Sequence, residues 1–575
     1  MINKIRPFIV AVSVIIASLS AYGLFTQPRP QGVDTEGFSS ARVVKDIEVM
    51  SKTPHSVAHP EERALVREYL VKRLHELGAD TVRILSYDSL TGPKNKHVEY
   101  TFDAHNIVAE FAPEHAQADS VAELMFVAHY DSRYSHIFGR DTVWSYGAAD
   151  DGYGVGVILE TVSQLLNERD QWSQGVKVLF TDAEEPGMIG MTAMWENDRQ
   201  EFDNVGLMIN VEARGPWGPA LLFEVCPGNK KVIDLYASTA DYPYTYSLTT
   251  VVYKFMPNFT DFTIVKDSIP GLNFSTIVDV NRYHTHLDNF SNISEKSIQH
   301  YGAQILPLAR EYVINQQYAD VDALEADEDA VNFTIPGLGI LNFGKLGYMI
   351  LNVAIFLLFM VLFGLEGVRG RLNAKKVFVK SLVVLGAALG ALISGVLVSY
   401  ICSAIAGIPF KLMGTLQGIM FDNVAMIVSV VIMTGLSILV YILARRKAVR
   451  NSSGSMRQSA SVSAARNHAY TVLYGTLALL FILSIVMLLA LGENMMFLIP
   501  LSFATFAMVL YHLTNFRGWL PIAMALILLH AFSFYYALSM ALTIGALGVV
   551  MMLVFLIVIL IIPMADIYML PAKKK

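Results

Sequence analysis

The stretch VKVLFTDAEEPG, residues 176–187, carries an apolar run into the carboxylates of Asp182, Glu184 and Glu185 and stops on Pro186-Gly187. Val176–Thr181 reads as a short buried strand. Neighbouring strand residues point to opposite faces, so both glutamates can enter one site only where the strand has broken. Pro186-Gly187 supplies that break. Two carboxylates held together repel unless cations separate them, which suggests a metal ligand beside a general base.

The same pattern extends in both directions. Val121–His129 (VAELMFVAH), Val205–Val211 and Ala220–Val225 are further buried-strand runs. After Asp150-Asp151-Gly152, the residues Val155, Ile158, Leu159, Val162, Leu165 and Leu166 recur at helical spacing, and an earlier amphipathic helix covers Pro60–Leu77. Strands separated by helices predict an α/β fold with a largely parallel, mixed sheet flanked by helices. Ligands bind beyond the carboxyl ends of the strands in such sheets, and the acidic residues and histidines fall at those ends.

Beyond residue 343 the chain changes character. Overall it has 575 residues, 54% hydrophobic and 16% charged, with a mean hydropathy of +0.44. That excludes a fully soluble enzyme and a disordered chain. Spanning a bilayer takes roughly 20 mostly apolar residues. Runs at 346–365, 381–402, 423–444, 469–491, 495–513, 519–539 and 542–563 qualify, and another apolar run lies at 8–25. Alternate loops carry Arg369, Arg371, Lys375 and Lys376, then Arg445, Arg446, Lys447 and Arg450, then Arg517. Positive charge stays in the cytoplasm. This alternation predicts eight spans, both termini cytoplasmic and an extracytoplasmic domain.

The expected organisation is an N-terminal transmembrane anchor at 1–25, an extracytoplasmic domain at 26–343 and a membrane domain at 344–575. A cleaved signal peptide is the alternative for 8–25. Within the spans, His512 and His530 are the ionisable exceptions, read as histidines hydrogen-bonded to neighbouring helices. The Ser-rich stretch 451–465 reads as a flexible cytoplasmic linker. A net charge of −7 gives no general affinity for nucleic acid. Two cysteines, Cys226 and Cys402, exclude a disulfide scaffold.

Four more places in 26–343 carry chemistry, and each has a plainer reading. In His129-Tyr130-Asp131, Asp131 can fix the imidazole while its other nitrogen binds metal; a lone histidine is more often structural. Asp150 and Asp151, before a helix, can simply cap it. Glu212 ends another strand, and Tyr283-His284-Thr285-His286-Leu287-Asp288 lies in a loop. Together they hold ligands that suit zinc. One carboxylate between two metals, with a histidine and a carboxylate for each, makes a co-catalytic pair. His129, Asp150, Glu185, Glu212 and His284 supply that set, leaving Glu184 as base.

The ordered motifs HxD, GAxDDGxxG, EEPG, NxE and HTxxD, over about residues 40–315, resemble the di-zinc aminopeptidase family, with bacterial leucyl aminopeptidases and aminopeptidase Y among its members. The multi-span half adds a likeness to the vacuolar membrane protease and endoplasmic reticulum metallopeptidase group. The resemblance implies two Zn2+ per chain, bridged by Asp150. His129 and Glu212 would complete one site, and Glu185 and His284 the other. Asp131 would orient His129, and Glu184 would take a proton from water. Glu212 stands where many members have Asp. His284 fits the HTxxD spacing better than His286 does. Asn258-Phe259-Thr260-Asp261-Phe262 weakly resembles a substrate-side loop, and Arg214 is open between substrate contact and an ion pair.

These readings predict a membrane-bound zinc exopeptidase acting on peptides, most simply an aminopeptidase, because a carboxylate-rich rim suits a free α-amine. Its partners would be peptide substrates and the lipid bilayer. A bacterial inner membrane with a periplasmic domain is the expected setting, lumenal if the source is eukaryotic. The alternatives are a glutaminyl cyclase-like enzyme, which needs one zinc, and a non-catalytic scaffold or receptor. The full ligand set argues against the first, and Glu184 beside Glu185 against the second.

Overall fold

The computed structural model describes residues 2–21, 23, 27–92, 101–115, 122–138, 141–253, 258–370, 372–412, 414–452 and 458–570. Two compact units emerge. One comprises Thr26–Thr334 with Gly339–Lys345, the other Met1–Phe25, Ile335–Leu338 and Leu346–Lys575.

The first unit is built on a seven-stranded sheet. Its strands are β1 (Thr81–Thr91), β2 (Thr101–Phe111), β3 (Glu123–His129), β4 (Gly175–Thr181), β5 (Val205–Ala213), β6 (Leu221–Val225) and β7 (Gly271–Thr276). The spatial order is β1-β2-β4-β3-β5-β7-β6. The centre is parallel, β3 pairing with β4 and β5, and β5 with β7. Antiparallel pairs β1–β2, β2–β4 and β6–β7 complete the mixed sheet. Every residue of β4 and β5 is buried, which is why these strands read as continuous apolar runs.

Helix Gly152–Leu165 follows β3 and is buried along almost its whole length. Helix Ser40–Met50 packs on it closely enough that a Cβ at Gly156 would stand 2.8 Å from Val43 Cγ1. The helix expected at Pro60–Leu77 is Pro60–Glu76, with proline at its first position. The four apolar runs are strands, with boundaries shifted by a residue or two at four of their eight ends. β1, β2 and β7 add to them: β1 alternates exposed and half-buried residues, and β7 carries Asn273 and Ser275.

The second unit is helical. Its helices are Ile2–Ala21, Lys345–Val368, Ala374–Ala406, Asp422–Ser452, Gln458–Leu491, Met495–Thr514, Trp519–Leu542 and Leu547–Met569. Six stretches among the described residues are long and apolar enough to cross a membrane, the last being Trp519–Met569; Ile5–Ala21 is shorter. The long final stretch breaks at Thr543, whose φ is +54°. There Thr543 Oγ1 accepts the Leu416 amide at 3.1 Å and donates to the Leu416 carbonyl at 2.9 Å. Buried backbone groups thus stay bonded where the helix stops.

Two expectations for this half are corrected. Carboxylates do occur within the apolar helices: Glu366, fully buried, faces His512 Nε2 at 3.1 Å, and Asp566 accepts from Tyr441 at 3.0 Å and Arg445 at 2.7 Å. Glu366 lies one residue beyond the apolar run, and helix Lys345–Val368 continues through it. The Ser-rich stretch is largely helical, since Gln458–Leu491 takes up Ser459, Ser461 and Ser463. Its residues 453–457 lie outside the described residues.

Candidate metal centre

The carboxyl ends of β3, β4 and β5 bring the first groups together. His129 ends β3 opposite Thr181, the last residue of β4. Past Thr181 the chain turns sharply, with φ of +55° at Ala183 and +57° at Met188. The Glu184 carbonyl accepts the Gly187 amide at 2.7 Å, and the Ala183 carbonyl accepts the Ile189 amide at 2.9 Å. This turn ends the alternation of the strand, so the adjacent Glu184 and Glu185 share one region. Glu185 is buried and Glu184 half-buried.

Asp150 and Asp151 divide their work. Asp151 caps helix Gly152–Leu165 by accepting the Gly154 amide at 3.0 Å, while Asp150 points to His129. The loop between them and β3 is held from behind by Asp288. Its Oδ1 accepts the Ala149 amide at 2.8 Å, and its Oδ2 accepts Ser145 Oγ at 2.9 Å and the Asp150 amide at 3.3 Å. His284 reaches the site from a loop in which its own φ is +62°. His286 is exposed.

Among the described residues, two groups of three can hold a metal ion, and Asp150 belongs to both. On one side His129 Nε2 lies 3.2 Å from Asp150 Oδ1 and 3.8 Å from Glu212 Oε2. On the other, His284 Nε2 lies 3.3 Å from Asp150 Oδ2 and 3.1 Å from Glu185 Oε2. The two oxygens of one carboxylate thus face two different sets.

The surroundings fix these groups. His129 donates Nδ1–H to the Asp131 carbonyl at 2.9 Å, which leaves Nε2 as the acceptor nitrogen. The Asp131 carboxylate stands farther from His129 Nδ1 than the carbonyl does, at 3.5 Å. It accepts the amides of Glu184 and Glu185 at 2.9 and 3.3 Å. Arg133, missed in the sequence reading, donates Nη1 to the Glu185 carbonyl at 2.7 Å and to its Oε2 at 3.0 Å. Its guanidinium lies 4.3 Å from the Tyr134 ring centre, and its position four residues after His129 was the one available cue. Asp261, from the weakly recognised loop, is buried and bonded to Thr181 Oγ1. Tyr283 stacks on His284 at 3.6 Å. Arg214 is half-buried beyond β5, and its charge is felt by Tyr253 and Tyr283.

Electrostatics follow from crowding acids in a dry place. Burial pushes Glu212 up to about 8, with Asp150 adding repulsion and His129 opposing it. Burial likewise raises Glu184 well above the usual carboxylate range, and Asp288 to about 7. Glu185 goes the other way: burial disfavours its charge, but His284 and Arg133 outweigh it and hold its pKa well below normal. Burial also disfavours charge on His129, yet its bonds to Asp131 and Asp150 raise it. Asp150 Oδ2 and Glu185 Oε1 are buried without a hydrogen bond. Buried acids of this density call for cations, and nitrogen and oxygen donors in threes suit zinc.

Residues 106–309 match peptidase family M28. Human endoplasmic reticulum metallopeptidase 1 is 26% identical over 288 residues, 47% of this chain and 30% of that protein. The vacuolar membrane protease of Candida dubliniensis is 26% identical over 288 residues, 48% of this chain and 28% of that protein. The match therefore spans under a third of these relatives. Among solved structures, the glutaminyl cyclase of Porphyromonas gingivalis aligns with a TM-score of 0.39 at 20% identity, covering 48% of this chain and all of that one. A zinc aminopeptidase of Bacillus subtilis aligns at 0.37 and 13% identity, covering 51% and 99%. The family likeness drawn from the motifs, including its membrane-bound branch, is the one these matches return.

Proposed function

We propose that this chain, a multi-pass membrane protein with a family M28 metallopeptidase domain, is an aminopeptidase that removes N-terminal residues from peptides using two zinc ions. The observation that supports this reading most is Asp150, whose Oδ1 and Oδ2 face His129 and His284 at 3.2 and 3.3 Å. Asp150 would bridge, with His129 and Glu212 completing one site and Glu185 and His284 the other. Zinc at those positions would supply Lewis acidity toward water and the scissile carbonyl.

The chain's own groups do the rest. Glu184 belongs to neither ligand group and is half-buried, so its carboxylate is free to accept a proton from water and return it to the departing amine. Burial raises its pKa above the usual carboxylate range, which makes it a stronger proton acceptor than an exposed glutamate. Asp131 positions it through the 2.9 Å bond to its amide and holds His129 through the carbonyl. The carboxylates around the centre attract a free α-amine. The Lys/Arg alternation supports a peptidase domain outside the cytoplasm. Zinc analysis of the purified full chain, with hydrolysis of matched free and N-acetylated peptides, tests the reading. Two zincs and cleavage of the free peptide alone support it; cleavage of both peptides, or cyclisation of N-terminal glutamine with one zinc, overturns it.

A further inference from the structure

In the membrane unit, a cavity of about 790 Å³ lies between helices Ile2–Ala21 and Trp519–Leu542 and the end of helix Leu547–Met569. Its lining is largely apolar, with Ile9, Pro521, Ile522 and Leu526 among it, and includes Arg6 and Arg517. Arg6 donates Nη1 to the carbonyls of Tyr568 and Leu570, both at 3.2 Å. Arg517 donates Nη1 to the same Leu570 carbonyl. Two guanidinium groups that share one acceptor stand close together, and their mutual repulsion falls when an anion joins them. The guanidinium fork matches phosphate geometry.

The position along the helices points to the ligand. Arg445 bonds Asp566, so the late part of helix Asp422–Ser452 lies beside the end of helix Leu547–Met569, the end at which Arg6 and Arg517 bond. Arg446, Lys447 and Arg450 follow Arg445 in the last turns of helix Asp422–Ser452. This is the cytoplasmic end by the positive-inside rule, the side where anionic lipids concentrate and basic pockets between helices hold their headgroups.

We propose that this cavity is a site for an anionic phospholipid, its phosphate held between Arg6 and Arg517 and one acyl chain lying along Ile9, Pro521, Ile522 and Leu526. The assignment is independent of the peptidase reading. Both arginines act on charge, and the apolar wall acts on the chain, so the two contributions separate by mutation.

The test uses the full chain, delipidated in detergent and titrated with phosphatidylglycerol or phosphatidylcholine of the same acyl length, with bound lipid counted by native mass spectrometry. Each arginine near an anionic headgroup is worth about fivefold in affinity, so phosphatidylglycerol should bind about 25-fold more tightly. Arg6→Gln and Arg517→Gln should each cut that preference about fivefold, and the double variant should abolish it. Ser13→Phe, which fills the cavity from Ser13 on its wall, should lower retention of both lipids without changing their ratio. Equal binding of the two lipids, or full preference in the double variant, overturns the proposal. So does inorganic phosphate displacing the lipid at equal concentration, which would mark a site for a free anion. If the arginine variants fail to assemble, Ser13→Phe decides, and unchanged lipid retention there overturns it.

Discussion

Asp131 Oδ1 accepts the amide proton of Glu184 at 2.9 Å, while the Asp131 carbonyl holds His129 Nδ1. One residue therefore ties β3 to the turn after β4. Asp131→Ala should loosen both His129 and the Glu184-Glu185 turn. Loss of such an outer partner typically costs 10- to 100-fold in metal affinity or activity. Zinc titration and peptide hydrolysis on the variant should both show it; a change in rate with unaltered zinc affinity would confine Asp131 to the base.

Glu184 and Glu185 should separate under the same conservative change. Glu184→Gln keeps size but cannot accept a proton, so the protein should keep its zinc and lose roughly 10²- to 10⁴-fold in turnover. Glu185→Gln replaces an anionic ligand by a neutral amide, so it should need more zinc for activity. Zinc content measured beside hydrolysis checks both. Loss of metal in Glu184→Gln with full metal in Glu185→Gln would exchange the two roles.

Metal removal should leave a fold that prefers acid. Burial raises Glu212 to about 8, Asp288 to about 7 and Asp261 to about 6, above the roughly 4 of an unfolded carboxylate. Between those values the native state holds protons that the unfolded chain has released. Stability from these groups is therefore full below about pH 4 and lost as pH rises toward 8. Chelated protein should melt at a lower temperature at pH 8 than at pH 5.5, and zinc should reverse the order. A melting temperature that rises with pH after chelation would contradict this.

Much of the first unit was legible because chemistry-bearing residues directly follow apolar runs. His129, Glu185 and Glu212 each sit at or just past the end of a strand that reads as buried. Asp150 was legible from the helix that begins after it, although which of Asp150 and Asp151 caps that helix was decided only by the turn itself. β1 was not legible, because this edge strand buries no residue and carries no apolar run, and β2 was not, because its longest buried stretch is only Asn106–Ala109 and opens on a polar residue. Asp261 and Arg133 were obscured for another reason. Their roles depend on contacts with Thr181 and Glu185 across loops, and no local pattern encodes those. In the membrane unit, Glu366 escaped notice because helix length, not hydropathy, places it inside.

The most direct test of the central claim is the zinc content of purified Asp150→Ala beside His284→Ala. Asp150 faces both ligand groups and His284 only one, so Asp150→Ala should retain no zinc and His284→Ala about one per chain. Two zincs in Asp150→Ala, in a protein that remains folded, would contradict the bridge and the two-metal site built on it.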